Sequence, residues 1–281
     1  MTPSSDGGPL ARSAASPGAI EKRYPILGFD PERTSVIEPS RHIKLRDLPA
    51  CCVLTFSFEQ ILQVAESEAL CEITRVKTGM GFHPVYRYAP PGTCGQVALV
   101  HPGVSAPLAA SVLEMLIAGG CRTFVACGSA GVLAEDLPPG HLIIPTEALR
   151  DEGPSYHYLE PGASTLAAPR VVTALEQTLK ESDIAYVCGK TWTTDAFYRE
   201  TEGRVQKRKQ QGCLTVEMEA AALFAVAQFR EVALGCLLYA SDHVGGREWD
   251  PHPEFDRSAI RLQMIELAAR ACLAAARGIE K

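Results

Sequence analysis

The chain has 281 residues, of which 46% are hydrophobic and 21% are charged, and its formal net charge is −6. No stretch reaches the roughly 18 uninterrupted apolar residues that a membrane helix requires, so we expect no membrane partner. A sequence pI near 5.7 is unlike the basic surface of a nucleic-acid binder, so we expect no nucleic-acid partner either. A small neutral ligand fits this composition better.

Residues 1–20 are rich in Pro, Ser, Gly and Ala, which predicts a disordered tail ahead of a single domain over residues 21–281. No basic region followed by an apolar segment marks a secretory signal. Five of the ten cysteines lie inside apolar or alanine-rich runs, which is typical of reduced core thiols: Cys121, Cys127, Cys188, Cys236 and Cys272. We therefore expect a cytoplasmic chain.

Short β-prone runs alternate with helical apolar spacing along the rest of the chain. Strands are expected over residues 52–56, 96–100, 122–127, 141–145, 185–187 and 233–239. Helices are expected over residues 59–70, 108–118, 217–229 and 258–277. This rhythm predicts a three-layer α/β/α fold with a mostly parallel, mixed central sheet, whose ligands gather at the carboxyl ends of its strands.

The segment Val216-Glu217-Met218-Glu219-Ala220-Ala221 places two carboxylates at the start of an otherwise apolar helix. Burying acids is costly, although a helix N-terminus offsets part of that cost, so simple capping is one explanation for either residue. A sugar diol is the other, because a carboxylate accepts two hydroxyl protons.

A second segment, residues 237–243, runs from an apolar strand straight into Ser241-Asp242-His243. An aspartate at this place is often only a turn residue. It is also where α/β sheets keep catalytic groups. The histidines have no metal-site spacing, so we expect no metal.

These residues, with Gly128-Ser129-Ala130-Gly131 and Asp195-Ala196-Phe197-Tyr198, resemble the nucleoside phosphorylase superfamily in order and spacing. The resemblance implies a phosphorylase-like fold, cleavage of the N-glycosidic bond of a nucleoside, and a homo-oligomer (dimer, trimer or hexamer). It implies no cofactor, with inorganic phosphate as a co-substrate. It also implies roles for particular side chains: Asp242 as general acid, Glu217, Met218 and Glu219 at the ribose, Phe197 and Ser241 at the base, and Gly128 and Ser129 at phosphate or water.

Chemistry supports these roles, because breaking the bond leaves positive charge on the sugar and negative charge on the base. An acid at the base and anions near the ribose are therefore needed. For Asp242 to hold a proton near neutral pH, burial at the end of the strand would have to raise its pKa.

The phosphate site departs from the family pattern. Positions that align with its glycine and two arginines hold Phe56, Gln60 and Ala126. Further cations or donors could substitute, namely Arg75, Arg87, Arg247 and His157. Phosphorolysis is expected on family frequency, hydrolysis by water is nearly as well supported, and a catalytically silent nucleoside-binding or storage protein is the third alternative. The uracil-reading Gln and Arg are absent, which favours a purine or modified base.

Overall fold

The structure is a computed structural model, which describes residues 24–45, 47–66 and 70–277. The predicted tail over residues 1–20 lies outside this part of the chain. The α-helices are α1 (Pro39–His42), α2 (Phe58–Glu66), α3 (Ala106–Ala118), α4 (Pro169–Glu181), α5 (Glu202–Gln210), α6 (Ala220–Phe229) and α7 (Arg257–Arg277). The strands are β1 (Cys51–Thr55), β2 (Leu70–Thr78), β3 (Gly81–Tyr88), β4 (Val97–Val100), β5 (Thr123–Val132), β6 (Leu142–Asp151), β7 (Ser164–Leu166), β8 (Tyr186–Thr194), β9 (Cys213–Glu217) and β10 (Ala233–His243).

These strands form one mixed sheet in the order β10-β6-β8-β9-β5-β1-β4-β3-β2, with β7 beside β6. Strand β1 is parallel to both β4 and β5, and β5 is parallel to β10. Strands β2 and β3 form an antiparallel hairpin at one edge of the sheet, where β3 pairs with β4. Strand β10 also pairs with β5, so β5, β10, β6, β8 and β9 close into a ring. The predicted mixed sheet is confirmed.

Helices cover both faces of the sheet. Alternate residues of β1 point in opposite directions, so that Cys52 and Leu54 join one apolar core while Cys51 and Val53 join another. The first core is completed by α3 and α6, and the second by α4 and α7. This arrangement is the predicted three-layer α/β/α fold.

Strand β5 departs from the sequence-based expectation. The strand expected over residues 122–127 continues through residues 128–131, because β5 pairs here with both β9 and β10. Gly131 lies opposite Val216 of β9 on one side and Asp242 of β10 on the other. A Cβ at Gly131 would lie 3.1 Å from a methyl carbon of Val216, so only glycine fits without displacement of a neighbour.

The β2–β3 hairpin was not predicted, and α2 ends at Glu66 rather than at residue 70. All ten cysteines are free thiols. Cys188 is exposed, contrary to its expected place in the core, because it lies in an outward-facing position of β8. Within the described ranges, no helix is both long enough and apolar enough to cross a membrane.

Candidate active site

The two carboxylates lie at a strand-to-helix turn rather than inside a helix. Glu217 is the last residue of β9, and α6 begins at Ala220, because pairing with β8 holds residues 213–217 extended. Oε2 of Glu217 accepts the backbone N–H groups of Glu219 and Ala220, both at 2.7 Å, and Oε1 accepts the hydroxyl of Thr193 at 2.5 Å. Glu217 therefore caps the turn, which confirms the capping explanation for this residue.

Glu219 makes a different contact. Its Oε1 accepts the backbone N–H of Ser105 at 2.6 Å, at the start of α3. Ser105 has φ 96°, a conformation that costs a non-glycine residue on the order of 1–3 kcal/mol. The surrounding loop therefore holds a strained backbone in the position that orients this carboxylate.

Burial dominates the electrostatics of the pair. It raises the pKa of Glu217 to about 7, and burial together with the charge of Glu217 raises the pKa of Glu219 to about 8. The two groups accordingly hold a proton between them near neutral pH. A developing positive charge on a bound sugar would favour their ionised forms.

Asp242 reaches the same region from β10. The register between β10 and β5 shifts between Ala240 and Asp242, which leaves Ser241 as the extra residue of a β-bulge. Bulges re-aim the side chain that follows them. Asp242 is half-buried, and its Oδ2 accepts the indole N–H of Trp249 at 2.8 Å.

A cavity of about 600 Å³ opens beside Asp242. Phe197 and Tyr198, whose ring centroids lie 4.0 Å apart, line this cavity, and so does Trp249 in the segment after β10. Tyr198 is 88% exposed, so this aromatic wall is accessible to a ligand. Flat aromatic faces with a few polar groups suit a nucleobase. The wall is completed by Gly131, Glu200, Glu202, Val205, Val216, Glu217, Met218, Val244, Gly246, Arg247 and Glu248.

A smaller cavity of about 170 Å³ shares Glu217 and Met218 with the first. Gly128, Ser129 and Glu219 line it, and the ring of Phe56 closes over Gly128. A Cβ at Gly128 would lie 3.1 Å from that ring. No arginine, lysine or histidine lines this cavity within the part of the chain that the structure describes.

Gln60 and Ala126, the other substituted positions, are both buried. The Oε1 of Gln60 has no hydrogen-bond partner among the residues that the structure describes. No group of three metal-ligating side chains occurs in the described ranges.

Most of the predicted site residues meet at these two cavities: Gly128, Ser129, Phe197, Glu217, Met218, Glu219, Asp242 and Arg247. Ser241 does not line either cavity, because the bulge turns it toward Arg257, whose guanidinium donates to its hydroxyl at 3.3 Å and its carbonyl at 3.2 Å. Arg87 lies in the β2–β3 hairpin and His157 lies exposed beyond β6, so the structure places neither beside the cavities. Ser105 and Glu200 are residues of the site that were not predicted.

The protein-family model of the phosphorylase superfamily matches residues 50–276 of this chain. The chain belongs to this superfamily. It is 30% identical over 177 residues to the guanosine phosphorylase of Halorubrum lacusprofundi, a match that covers 59% of this chain and 73% of that protein.

Solved structures share the superfamily fold at low sequence identity. The purine nucleoside phosphorylase of Toxoplasma gondii, solved with immucillin-H, superposes with a TM-score of 0.70 at 20% identity, covering 87% of this chain and 99% of that one. The AMP nucleosidase of Bacteroides thetaiotaomicron gives 0.67 at 20% identity, covering 84% and 92%. Both phosphorylases and nucleosidases therefore share this architecture.

Proposed function

We propose that the chain cleaves the N-glycosidic bond of nucleosides. The base occupies the 600 Å³ cavity between the aromatic wall and Asp242, and the ribose lies where the two cavities meet, over Met218 and beside Glu219. The observation that carries this proposal is the placement of an acid at the base cavity and a pair of buried carboxylates at the sugar, on strands that both pair with β5.

The reaction leaves negative charge on the base and positive charge on the sugar, and Asp242 and Glu219 each face one of these charges. As the bond breaks, Asp242 donates a proton to the departing base, which would otherwise leave as an anion. Positive charge develops on the ribose beside Glu219, whose carboxylate becomes more stable in its charged form. Glu217 does not need to touch the sugar, because its two oxygens are occupied by Thr193 and by the turn.

We propose water rather than phosphate as the attacking group. Its oxygen bonds to C1′ of the ribose as the bond to the base breaks, and the proton that the water releases passes to solvent, from which Asp242 is protonated again. A phosphate dianion entering the 170 Å³ cavity would meet two carboxylates and no arginine, lysine or histidine of this chain. Desolvating an ion costs several kcal/mol, and the Ser129 hydroxyl with backbone donors offers little compensation. Phosphorolysis stays the second candidate, since the Halorubrum relative is a guanosine phosphorylase.

The test is incubation with a panel of ribonucleosides in ¹⁸O-labelled water, with and without inorganic phosphate, followed by separation of base and sugar products. Hydrolysis gives ¹⁸O-labelled ribose even when no inorganic phosphate is added. Cleavage only with phosphate, giving ribose 1-phosphate, would replace hydrolysis by phosphorolysis. Asp242→Asn is the control for a contaminating activity. If the folded protein cleaves no nucleoside, the remaining alternative is a catalytically silent nucleoside-binding or storage protein.

We further propose a homo-oligomer. Exposed apolar side chains lie on the β2–β3 hairpin (Met80 and Phe82), at the start of α2 (Phe58) and in the loop before α3, where Val104 also lines the smaller cavity. His101 links Phe58 to the hairpin. Its ring centroid lies 5.8 Å from that of Phe58, and its carbonyl oxygen accepts a hydrogen bond from the ring of His83. Light scattering decides this point. A fully active monomer at 30.2 kDa would contradict the oligomer and any residue supplied by a partner.

A further inference from the structure

Helix α5 and the segment before it line one part of the 600 Å³ cavity, but little apolar contact holds them there. Phe197, Tyr198, Glu200 and Glu202 line the cavity, and so does Val205 inside α5. Val205 is the only buried side chain of α5, whose nine residues the structure describes in full. Helices shorter than about 12 residues are marginal in water unless packing stabilises them. The position of α5 therefore needs a further anchor.

Asp151, the last residue of β6, supplies that anchor. Its Oδ2 accepts guanidinium N–H groups of Arg204 at 2.5 Å and of Arg208 at 2.8 Å, two residues one turn apart on α5. The same oxygen accepts the indole N–H of Trp192 at 3.0 Å. Trp192 is fully buried in β8, and the two guanidinium groups lie 5.7 and 5.4 Å from its ring centroid. Asp151 thus ties the helix to two strands of the sheet.

The anchor is partly shielded from solvent, and Asp151 is itself held in place. The side chain of Asp151 is 24% exposed and that of Arg208 is 14% exposed, so salt screens this pair less than a fully exposed one. The backbone of Asp151 lies opposite Thr194 in the pairing of β6 with β8. Its neighbour Arg150 is buried, and the guanidinium of Arg150 donates to the hydroxyl of Ser155 at 2.8 Å. These contacts make Asp151 a fixed point.

The other end of the lining segment is tied to the same part of the chain. Asp195 follows β8, and its Oδ2 accepts the backbone N–H of Gly153 at 2.8 Å. Residues 197–202 therefore run between two anchors, Asp195 on Gly153 and Arg204 on Asp151. Asp151 is absent from the described residues that line the cavity, so its effect on a bound base passes through α5.

We propose that Asp151 is a positioning residue, which fixes α5 and residues 197–202 beside the base. The inference rests on the proposed function, because it assumes that the 600 Å³ cavity receives the base. Without the charge of Asp151, the two arginines lose their shared anionic acceptor and α5 moves away from β6. The base then binds less tightly. Asp242 and Glu217 keep their places, because β10 and β9 are held by pairing with β5.

The first experiment compares KM and kcat for a cleaved nucleoside in wild type, Asp151→Asn and a control, Glu135→Gln. Glu135 also pairs with α5, through Lys209 at 3.1 Å, but its side chain is 80% exposed. Asp151→Asn should raise KM about tenfold and change kcat by less than about threefold, because binding of the base weakens equally in the ground state and the transition state. The control should change neither value. An unchanged KM in folded Asp151→Asn, or a fall in kcat as large as the rise in KM, overturns the proposal and leaves the proposed function standing.

Calorimetric binding tests the positioning role without catalysis. Free adenine, hypoxanthine and uracil serve as probes of the base cavity, and the cationic sugar analogue iminoribitol probes the site beside Glu219. In Asp151→Asn, the base that wild type binds most tightly should bind about tenfold less tightly, while iminoribitol binds as in wild type. Equal weakening of base and sugar probes overturns the proposal, as does a wild type that binds none of the three bases.

Arg204→Gln provides a second, milder variant, because it removes one of the two ion pairs and leaves the pair with Arg208. It should weaken binding of the base, but not of iminoribitol, by a smaller factor than Asp151→Asn. If Asp151→Asn does not fold, unchanged binding of the base by Arg204→Gln overturns the proposal. If no nucleoside is cleaved but binding of the base depends on Asp151 in this way, the proposed reaction fails and the positioning role stands.

Discussion

Replacing Glu219 with glutamine should change how the stability of the protein depends on pH. The pKa of Glu219 is raised from its ordinary value of 4.5 to about 8 in the folded chain, mainly by burial. At low pH the carboxyl is protonated in folded and unfolded chains alike, and its contribution to stability is complete. That contribution is lost as the pH rises through about 8, because the folded chain must then ionise a buried group.

The size of the effect follows from the same values. Each pKa unit corresponds to about 1.36 kcal/mol. The interval between 4.5 and about 8 is therefore worth roughly 3–5 kcal/mol, the lower end allowing for the proton shared with Glu217. Glutamine cannot ionise, and its amide oxygen can still accept the N–H of Ser105. The variant should consequently lose little stability at low pH and gain relative to wild type at high pH.

Thermal unfolding followed by circular dichroism at about pH 5 and about pH 9 measures this directly. For a chain of this size a change of 1 kcal/mol moves Tm by about 2 °C, so the difference between variant and wild type should change by roughly 6–10 °C between the two pH values. Glu181→Gln, a substitution of an exposed carboxylate, should run parallel to wild type. Parallel curves for Glu219→Gln as well would refute the assignment of a buried, proton-holding carboxyl.

Three further outcomes are expected. Asp242→Asn should lower kcat by about 10²–10⁴ with little effect on KM, because proton donation matters in the transition state; steady-state turnover close to wild type would remove Asp242 from the mechanism. Glu219→Gln should lower the ratio of kcat/KM for ribonucleosides over 2′-deoxyribonucleosides, and a loss caused instead by Glu217→Gln would reverse the two roles. Ser105→Gly should stabilise the fold by about 1 kcal/mol in urea unfolding, since glycine adopts φ 96° without strain and keeps the N–H that Glu219 accepts. Destabilisation would show that the serine side chain matters more than its backbone.

The architecture and the meeting point of the motifs could be predicted from sequence. The strand that leads into Asp242 and the segment around Glu217 are each short, regular patterns at the carboxyl end of a strand. They meet because β10 runs parallel to β5 and β9 runs antiparallel to it, and both pair with β5 at Gly131. The boundary at Glu217 could not be predicted. An apolar alanine-rich run fits a helix from its first residue, and pairing of β9 with β8 decides that residues 213–217 are extended instead.

The contacts made by loops could not be predicted from sequence patterns. Glu200 and Trp249 reach the base cavity only through the path of two irregular segments, and nothing local to either residue indicates that path. Ser105 orients Glu219 through its backbone N–H, a group that every residue except proline possesses. The β2–β3 hairpin was missed because its strands carry exposed and half-buried residues without regular alternation.

The position of Gly131 between Val216 and Asp242 has a consequence for how this site can evolve. Asp242 and Glu217 belong to β10 and β9, which both pair with β5, so the backbones of the two strands lie about two strand spacings apart, roughly 10 Å. Backbone hydrogen bonds maintain that span, and the side chains around the base take no part in it. The sheet therefore fixes the distance between the proposed acid and the turn at the proposed sugar site, while the loops that carry Glu200 and Trp249 can change in sequence without moving β9 or β10.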